Sequence, residues 1–181
     1  MADYGIIDRC TGGAATADQN SAGHLPSAAF DDNDSTYWER TGTTALPAWL
    51  KYDFGAGVTW AIGKMTALLY ATGGCSWRAF TVNGSNNDSN WTELASLEAA
   101  DSAALQTFTW INQVKYRYIK IIITSDYRGA DNYCSTYEVS MYELLPSGSG
   151  FFIFLCEAWR KHNKLWKPKG LIIPKDLGFQ M

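Results

Sequence analysis

The 181-residue chain has few of the groups on which catalysis rests. It holds only two histidines, His24 in a polar loop and His162 near the C-terminus, and nothing pairs either with a nucleophile. The motifs G-x-S-x-G and H-E-x-x-H and the phosphate-cradling P-loop are all missing. Asp31, Asp32 and Asp34 crowd one short turn, which suits ion binding better than glycoside hydrolysis, where two carboxyls must face each other across a cleft. These absences argue against an enzyme. The four cysteines, at 10, 75, 134 and 156, include no C-x-x-C pair, which argues against zinc. No apolar run approaches bilayer-spanning length, the longest being Phe151 to Cys156. Met1-Ala2-Asp3-Tyr4 lacks the basic-then-apolar order of a secretory leader, so the expected site of synthesis is the cytosol, with release by some other route.

Charge is also scarce, at 18% of residues against 46% apolar, a balance that excludes a disordered chain and leaves room for one domain plus an appendage. It is unevenly spread. Residues 1–150 carry 9 basic and 16 acidic side chains, a net of −7, whereas 151–181 carry 6 and 2, a net of +4. So acidic a body repels a phosphate backbone, which argues against nucleic-acid binding by the main domain.

Aromatics and glycine are plentiful, with eight Trp, ten Tyr and 16 Gly. Flat rings pack well on pleated sheets and make ligand platforms, so the composition predicts a β-rich protein with many turns. Strand-like runs fall at 48–54, 64–70, 80–84, 106–110, 116–124 and 137–144. In Tyr116-Arg117-Tyr118-Ile119-Lys120-Ile121, polar and apolar residues alternate as a half-buried strand requires. Turn chemistry separates the runs, at Gly55-Ala56-Gly57, Gly73-Gly74 and the Asn/Asp/Ser cluster at 83–90. Short strands without interleaved helices predict an all-β antiparallel sandwich or jelly roll over residues 1–145. Residues 146–150, Pro-Ser-Gly-Ser-Gly, read as a linker. Beyond them Phe151, Leu155, Ala158, Trp159, His162, Leu165 and Trp166 recur near helical spacing, with Ser149 as cap and Pro168 as stop, and 169–181 read as extended.

The segment Ala29-Phe30-Asp31-Asp32-Asn33-Asp34-Ser35-Thr36-Tyr37-Trp38 resembles the A-F-D-G-N-x-x-T-x-W loop of discoidin (coagulation factor type C, galactose-binding-like) domains, which include many carbohydrate-binding modules. Pro47 to Gly55 resembles their P-x-W-I-x-Y-D-F-G strand, and Phe80 to Asp88 their F-x-L-x-G-S-N-D-G block. Trp91 to Leu94, Tyr116 to Ile121 and Tyr137 to Tyr142 follow in the same order. Six weak motifs in the right order over about residues 5–145 make a specific signal. The resemblance implies an eight-stranded jelly roll with its ligand loops gathered at one end. It says nothing of the last 31 residues.

In that family the aspartate-rich loop commonly holds a structural Ca²⁺ closed by the glutamate of the last strand. The resemblance carries those roles to Asp31, Asn33, Thr36 and Glu138; an Asx-rich turn with no ion is the competing reading. The family's glycine is Asp32 here, a residue that tolerates positive φ but adds a charge. Sugar recognition needs a ring to face the pyranose C–H groups and polar groups for its hydroxyls. The positions that supply these in galactose-binding relatives hold Glu39 and Arg40, then Trp77 and Arg78, then Tyr127, Arg128, Asp131, Asn132 and Tyr133. Glu39 replaces the family's histidine, so a galactose preference does not carry over. Trp77 packs under its own loop or touches ligand; Arg78 and Arg128 are solvated charges or ligand contacts. Trp38, Trp49, Phe54 and Trp91 match packing positions and are expected in the core. Cys75 and Cys134 fall in loops that the resemblance places at one end, where they form a disulfide or stay as free buried thiols.

A nearly stand-alone discoidin-like module with a basic, aromatic tail is similar to small bacteriophage virion proteins. The expectation is a non-catalytic glycan-binding accessory of the virion, a decoration, tail or fibre protein that forms a homo-oligomer or a multi-copy assembly. Its sandwich would grip cell-surface glycans, and 151–181 would dock on another virion or assembly protein. The alternatives are a peripheral protein on anionic membranes at the cell surface or in the cytoplasm, its Lys-rich tail in the interface, and an assembly subunit with no ligand.

Overall fold

The computed structural model describes residues 2–71, 75–129 and 133–146. The chain divides at Ser147/Gly148, and the sandwich is the first of its two units. The expected linker after Pro146, the tail helix and the extended arm fall outside the described residues, as do Asp131 and Asn132.

Among the described residues ten strands form two antiparallel sheets: β1 (Asp3–Tyr4), β2 (Ala14–Ala17), β3 (Trp38–Glu39), β4 (Ala48–Asp53), β5 (Ile62–Leu69), β6 (Ala79–Ser85), β7 (Thr92–Glu98), β8 (Gln106–Thr109), β9 (Tyr118–Ile123) and β10 (Ser135–Leu145). One sheet runs β1-β10-β5-β8, with β3 on the far end of β10; the other runs β2-β4-β9-β6-β7. Eight strands have four or more residues, and with the two-residue β1 and β3 they complete the expected jelly roll. The only described helix is the 3-10 turn Pro26–Ala29, which leads into the aspartate-rich loop.

The alternation visible in sequence sets the core. In β4, Ala48, Leu50 and Tyr52 point inward; in β9, Ile119, Ile121 and Ile123 do. Val82, Phe80, Met65 and Leu69 meet them from β6 and β5. Each such side chain contributes about 1.5–3 kcal/mol on burial. Trp38 and Phe54 are buried as expected. Trp49 and Trp91 are not core: both are half-buried, Trp49 on the outward positions of β4, where it alternates with the inward Ala48 and Leu50. Their motif positions suggested packing, but the period of two decides the face.

Candidate functional site

The aspartate-rich loop folds on its own side chains. Asp31 Oδ1 accepts from the Asn33 backbone N–H (3.1 Å), and the Asp31 carboxylate accepts from Thr36 Oγ1 (3.0 and 2.8 Å). Thr36 Oγ1 also reaches the Asn33 carbonyl at 3.0 Å, and Asn33 Oδ1 accepts from the Ser35 backbone N–H at 3.1 Å. Asp32 takes φ 57°, the left-handed region that its glycine-matching position requires.

This loop lies against Glu138. The register of β10 on β5 shifts between Thr136 and Glu138, and from there Val139 and Met141 enter the core while Glu138, Ser140 and Tyr142 line a surface cavity of about 290 Å³ shared with Asp32 and Asp34. Glu138 is nevertheless only 7% exposed. Its Oε1 accepts from the Val139 backbone N–H at 3.1 Å, and its buried Oε2 has no hydrogen-bond partner. Burial, reinforced by the Asp32 and Asp31 carboxylates, pushes its pKa up to about 8, against the pull of the Val139 and Asp32 backbone N–H groups.

Asp8, which the sequence reading overlooked, completes the cluster. Its Oδ1 accepts from the backbone N–H groups of Cys10 and Met141, both at 2.9 Å, and its Oδ2 is buried without a partner. One carboxylate oxygen each from Asp8, Asp32 and Glu138 lie within 4.8 Å of one another. The oxygen-only donor set and the two orphaned oxygens fit a hard cation such as Ca²⁺. Asp31, Asn33 and Thr36 adjoin the cluster through Asp32.

The expected ligand residues separate into two groups. Glu39 is half-buried on β3, where its Oε1 accepts from Ser21 Oγ at 2.9 Å. Arg128 is exposed, donates to Cys75 Sγ at 3.2 Å and stands 5.4 Å from the ring centre of half-buried Tyr133. Arg78 and Tyr127 are exposed; Arg78 pairs with Glu98 at 2.7 Å, and Tyr127 Oη donates to the Ala99 carbonyl at 2.6 Å.

Arg40 and Trp77 do not face a ligand. Arg40 is fully buried, with Nε on Asp18 Oδ2 at 2.8 Å and Nη1 and Nη2 on the Thr44 carbonyl and hydroxyl at 3.0 and 2.7 Å. It clamps the loop after β3, because a buried guanidinium needs its charge and donors met inside the protein. Trp77 is fully buried and packs edge-on to Phe80, with ring centres 5.1 Å apart, so the packing reading applies. Cys75 and Cys134 are free buried thiols, with no disulfide between them. Burial pushes the Cys134 thiol up to about 12, so it is protonated at neutral pH.

Beside Glu39 the structure assembles an aromatic ledge that no single motif announces. His24 stacks on Tyr37 at 4.0 Å between ring centres; Tyr37 meets Tyr70 at 5.0 Å and Tyr137 at 5.5 Å; Tyr70 stacks on Tyr137 at 5.3 Å. All four rings are half-buried. Burial raises the Tyr37 hydroxyl pKa, helped by Glu39 and then by Tyr70, Tyr137 and Cys75. Three of the rings follow or precede inward residues, Trp38, Leu69 and Thr136, and that alternation was the available signal.

Two antiparallel sheets packed face to face define the class as a small all-β jelly-roll sandwich. The F5/8 type C family matches residues 14–139, and the chain belongs to that discoidin family. Among solved structures, the fold is similar to the family 32 carbohydrate-binding module of C. perfringens NanJ in complex with galactose, at 20% identity and a TM-score of 0.65, covering 79% of this chain and 100% of that one. It is also similar to CpGH89CBM32-5 from Clostridium perfringens in complex with GalNAc-β-1,3-galactose, at 19% identity and a TM-score of 0.64, covering 74% of this chain and 96% of that one. A chitosan-binding module from a Paenibacillus sp. IK-5 chitosanase/glucanase matches at 21% identity and a TM-score of 0.63, covering 75% and 98%. No curated protein matches the chain.

Proposed function

We propose that this chain is a non-catalytic glycan-binding module whose sugar platform is the tyrosine ledge beside Glu39. The carrying observation is the continuous run of His24, Tyr37, Tyr70 and Tyr137, half-open to solvent and next to a carboxylate. Tyrosine rings offer a face to pyranose C–H groups and hydroxyls at the rim, while Glu39 accepts from sugar hydroxyls. The galactose, GalNAc-β-1,3-galactose and chitosan named for the structural relatives support the ligand class. Titration on a glycan array with the wild type and the Tyr70→Ala and Tyr137→Ala variants tests the reading. Binding to at least one glycan that both variants weaken supports it; a wild type that binds none ends it.

In the same reading a structural Ca²⁺ is held by Glu138, Asp8 and Asp32, with Asp31, Asn33 and Thr36 around it. The ion would neutralise a carboxylate cluster that otherwise repels itself and would pin the aspartate-rich loop to β10.

The wider role proposed is a virion accessory, present in many copies, that presents the sandwich to cell-surface glycans and anchors through 151–181. Its support is the charge contrast between the body, at −7, and that basic, aromatic segment, at +4. Deleting 151–181 and measuring particle incorporation tests it: retained incorporation rules out the anchor.

A further inference from the structure

The outer face of the second sheet carries a different ledge. Lys51 on β4 and Lys120 on β9 stand directly opposite each other in register, a like-charge cross-strand pair that weakens a sheet. Both are half-buried. Lys51 Nζ lies 5.6 Å from the Trp49 ring centre and 5.7 Å from that of Tyr118; Lys120 Nζ lies 3.8 Å from the ring centre of Trp91, which in turn meets Tyr118 edge-on at 6.5 Å.

The nearby acids do not neutralise both lysines. Asp53 is taken by Arg117, whose Nε and Nη2 donate to its two oxygens at 2.8 Å each. Asp88 pairs with Lys51 at 2.6 Å. Among the described residues no carboxylate lies within ion-pair distance of Lys120, whose ammonium faces a ring instead. Burial, and then the neighbouring Lys51, lower its pKa against the pull of Asp88. An anion beside Lys120 would pair with an ammonium that has only an aromatic face against it, next to the rings of Trp91 and Tyr118.

We infer that this ledge binds an acidic saccharide, with Lys51 and Lys120 gripping its anionic group while Trp49, Trp91 and Tyr118 stack on its sugar rings. A membrane fits less well. None of the exposed large hydrophobics, such as Ile6, Ile7, Ile111 and Val114, belongs to a strand of this sheet, and the ledge's own rings are half-buried. The inference deepens the glycan-binding reading, rests on it for the ligand class, and assigns a second subsite to the opposite sheet.

Affinity electrophoresis of the full chain in gels containing polygalacturonate, dextran sulfate or neutral dextran tests it. The expected result is retardation by at least one acidic polymer and none by dextran, a loss of about tenfold in affinity with Lys120→Gln, and recovery with Lys120→Arg. Polygalacturonate or dextran sulfate as the effective polymer identifies a carboxylate or a sulfate as the anion. No retardation by either acidic polymer, equal retardation by dextran, or an unchanged Lys120→Gln overturns the inference, as does Lys120-dependent binding confined to phosphatidylserine vesicles. Neutral glycans on the array, read with the Tyr70→Ala variant, report on the tyrosine ledge separately, so the two sites fail independently.

Discussion

Asp8 and Glu138, far apart in sequence, each place a carboxylate oxygen within 4.8 Å of the other, and each keeps one buried oxygen, Oδ2 and Oε2, without a hydrogen-bond partner. Leaving two such oxygens unmet costs stability that a bound cation would restore. Calcium should therefore raise the melting temperature of chelator-treated protein, by about 2.7 kcal/mol of stability when free Ca²⁺ is a hundredfold above Kd. Glu138→Gln should abolish that shift and leave the metal-free protein at least as stable as wild type, since glutamine is buried neutral without the proton uptake that Glu138, with its pKa pushed up to about 8, requires on folding. Differential scanning calorimetry with and without EDTA measures both. A wild type indifferent to Ca²⁺ would leave the cluster without an ion.

Asp32 adds a third carboxylate, from a left-handed backbone conformation. Asp32→Gly should stabilise the metal-free protein by about 1 kcal/mol, by relieving backbone strain and charge repulsion together. If Asp32 holds the ion, the same change should weaken calcium binding. Calorimetric titration with Ca²⁺ distinguishes a ligand from a bystander.

The sandwich itself was legible because alternation in segments such as Tyr116 to Ile121 fixes which face turns inward, and turn residues mark the ends. Position within a motif was a poorer guide to burial than that alternation, as Trp49 shows. Long-range pairing was not legible. Arg40 is buried because Asp18, 22 residues upstream, meets its guanidinium, and nothing local to Arg40 records that. The tyrosine ledge draws one ring each from just before β3, just after β5 and within β10, and Asp8 meets Met141 in the middle of β10 from 133 residues away. Such sites exist only once the register is set.

The Arg117–Asp53 pair gives the acid limb of stability a specific cause. The Arg117 hydrogen bonds hold the Asp53 pKa below the ordinary 3.8, helped by the Gly55 N–H and against the effect of burial. A carboxylate whose folded pKa is depressed contributes stability above its unfolded value and loses it as pH falls through the folded one. Asp53→Asn should therefore cost about 1 kcal/mol at neutral pH. The deficit should shrink between about pH 5 and pH 3, where wild type loses the same interaction. Urea melts of both proteins across that range give the curve; parallel curves would remove Asp53 from the account.

Arg40 and Arg128 were both candidates for sugar contact, and the structure gives them opposite roles. Arg40 is wholly buried with its charge on Asp18, so Arg40→Ala would strand that carboxylate and leave the Thr44 groups unmet, a loss of about 3–5 kcal/mol. Arg128 stands in solvent over Tyr133 and against the Cys75 sulfur, so Arg128→Ala should alter stability by no more than about 0.5 kcal/mol. Binding should divide the other way: Arg128→Ala lowers glycan affinity several-fold in protein that melts like wild type, whereas the folded fraction of Arg40→Ala binds as wild type does. Chemical denaturation paired with calorimetric titration of the same samples separates the two. Equal melting losses would mean that Arg128 also braces the fold, and unchanged affinity in Arg128→Ala would confine recognition to the rings and Glu39.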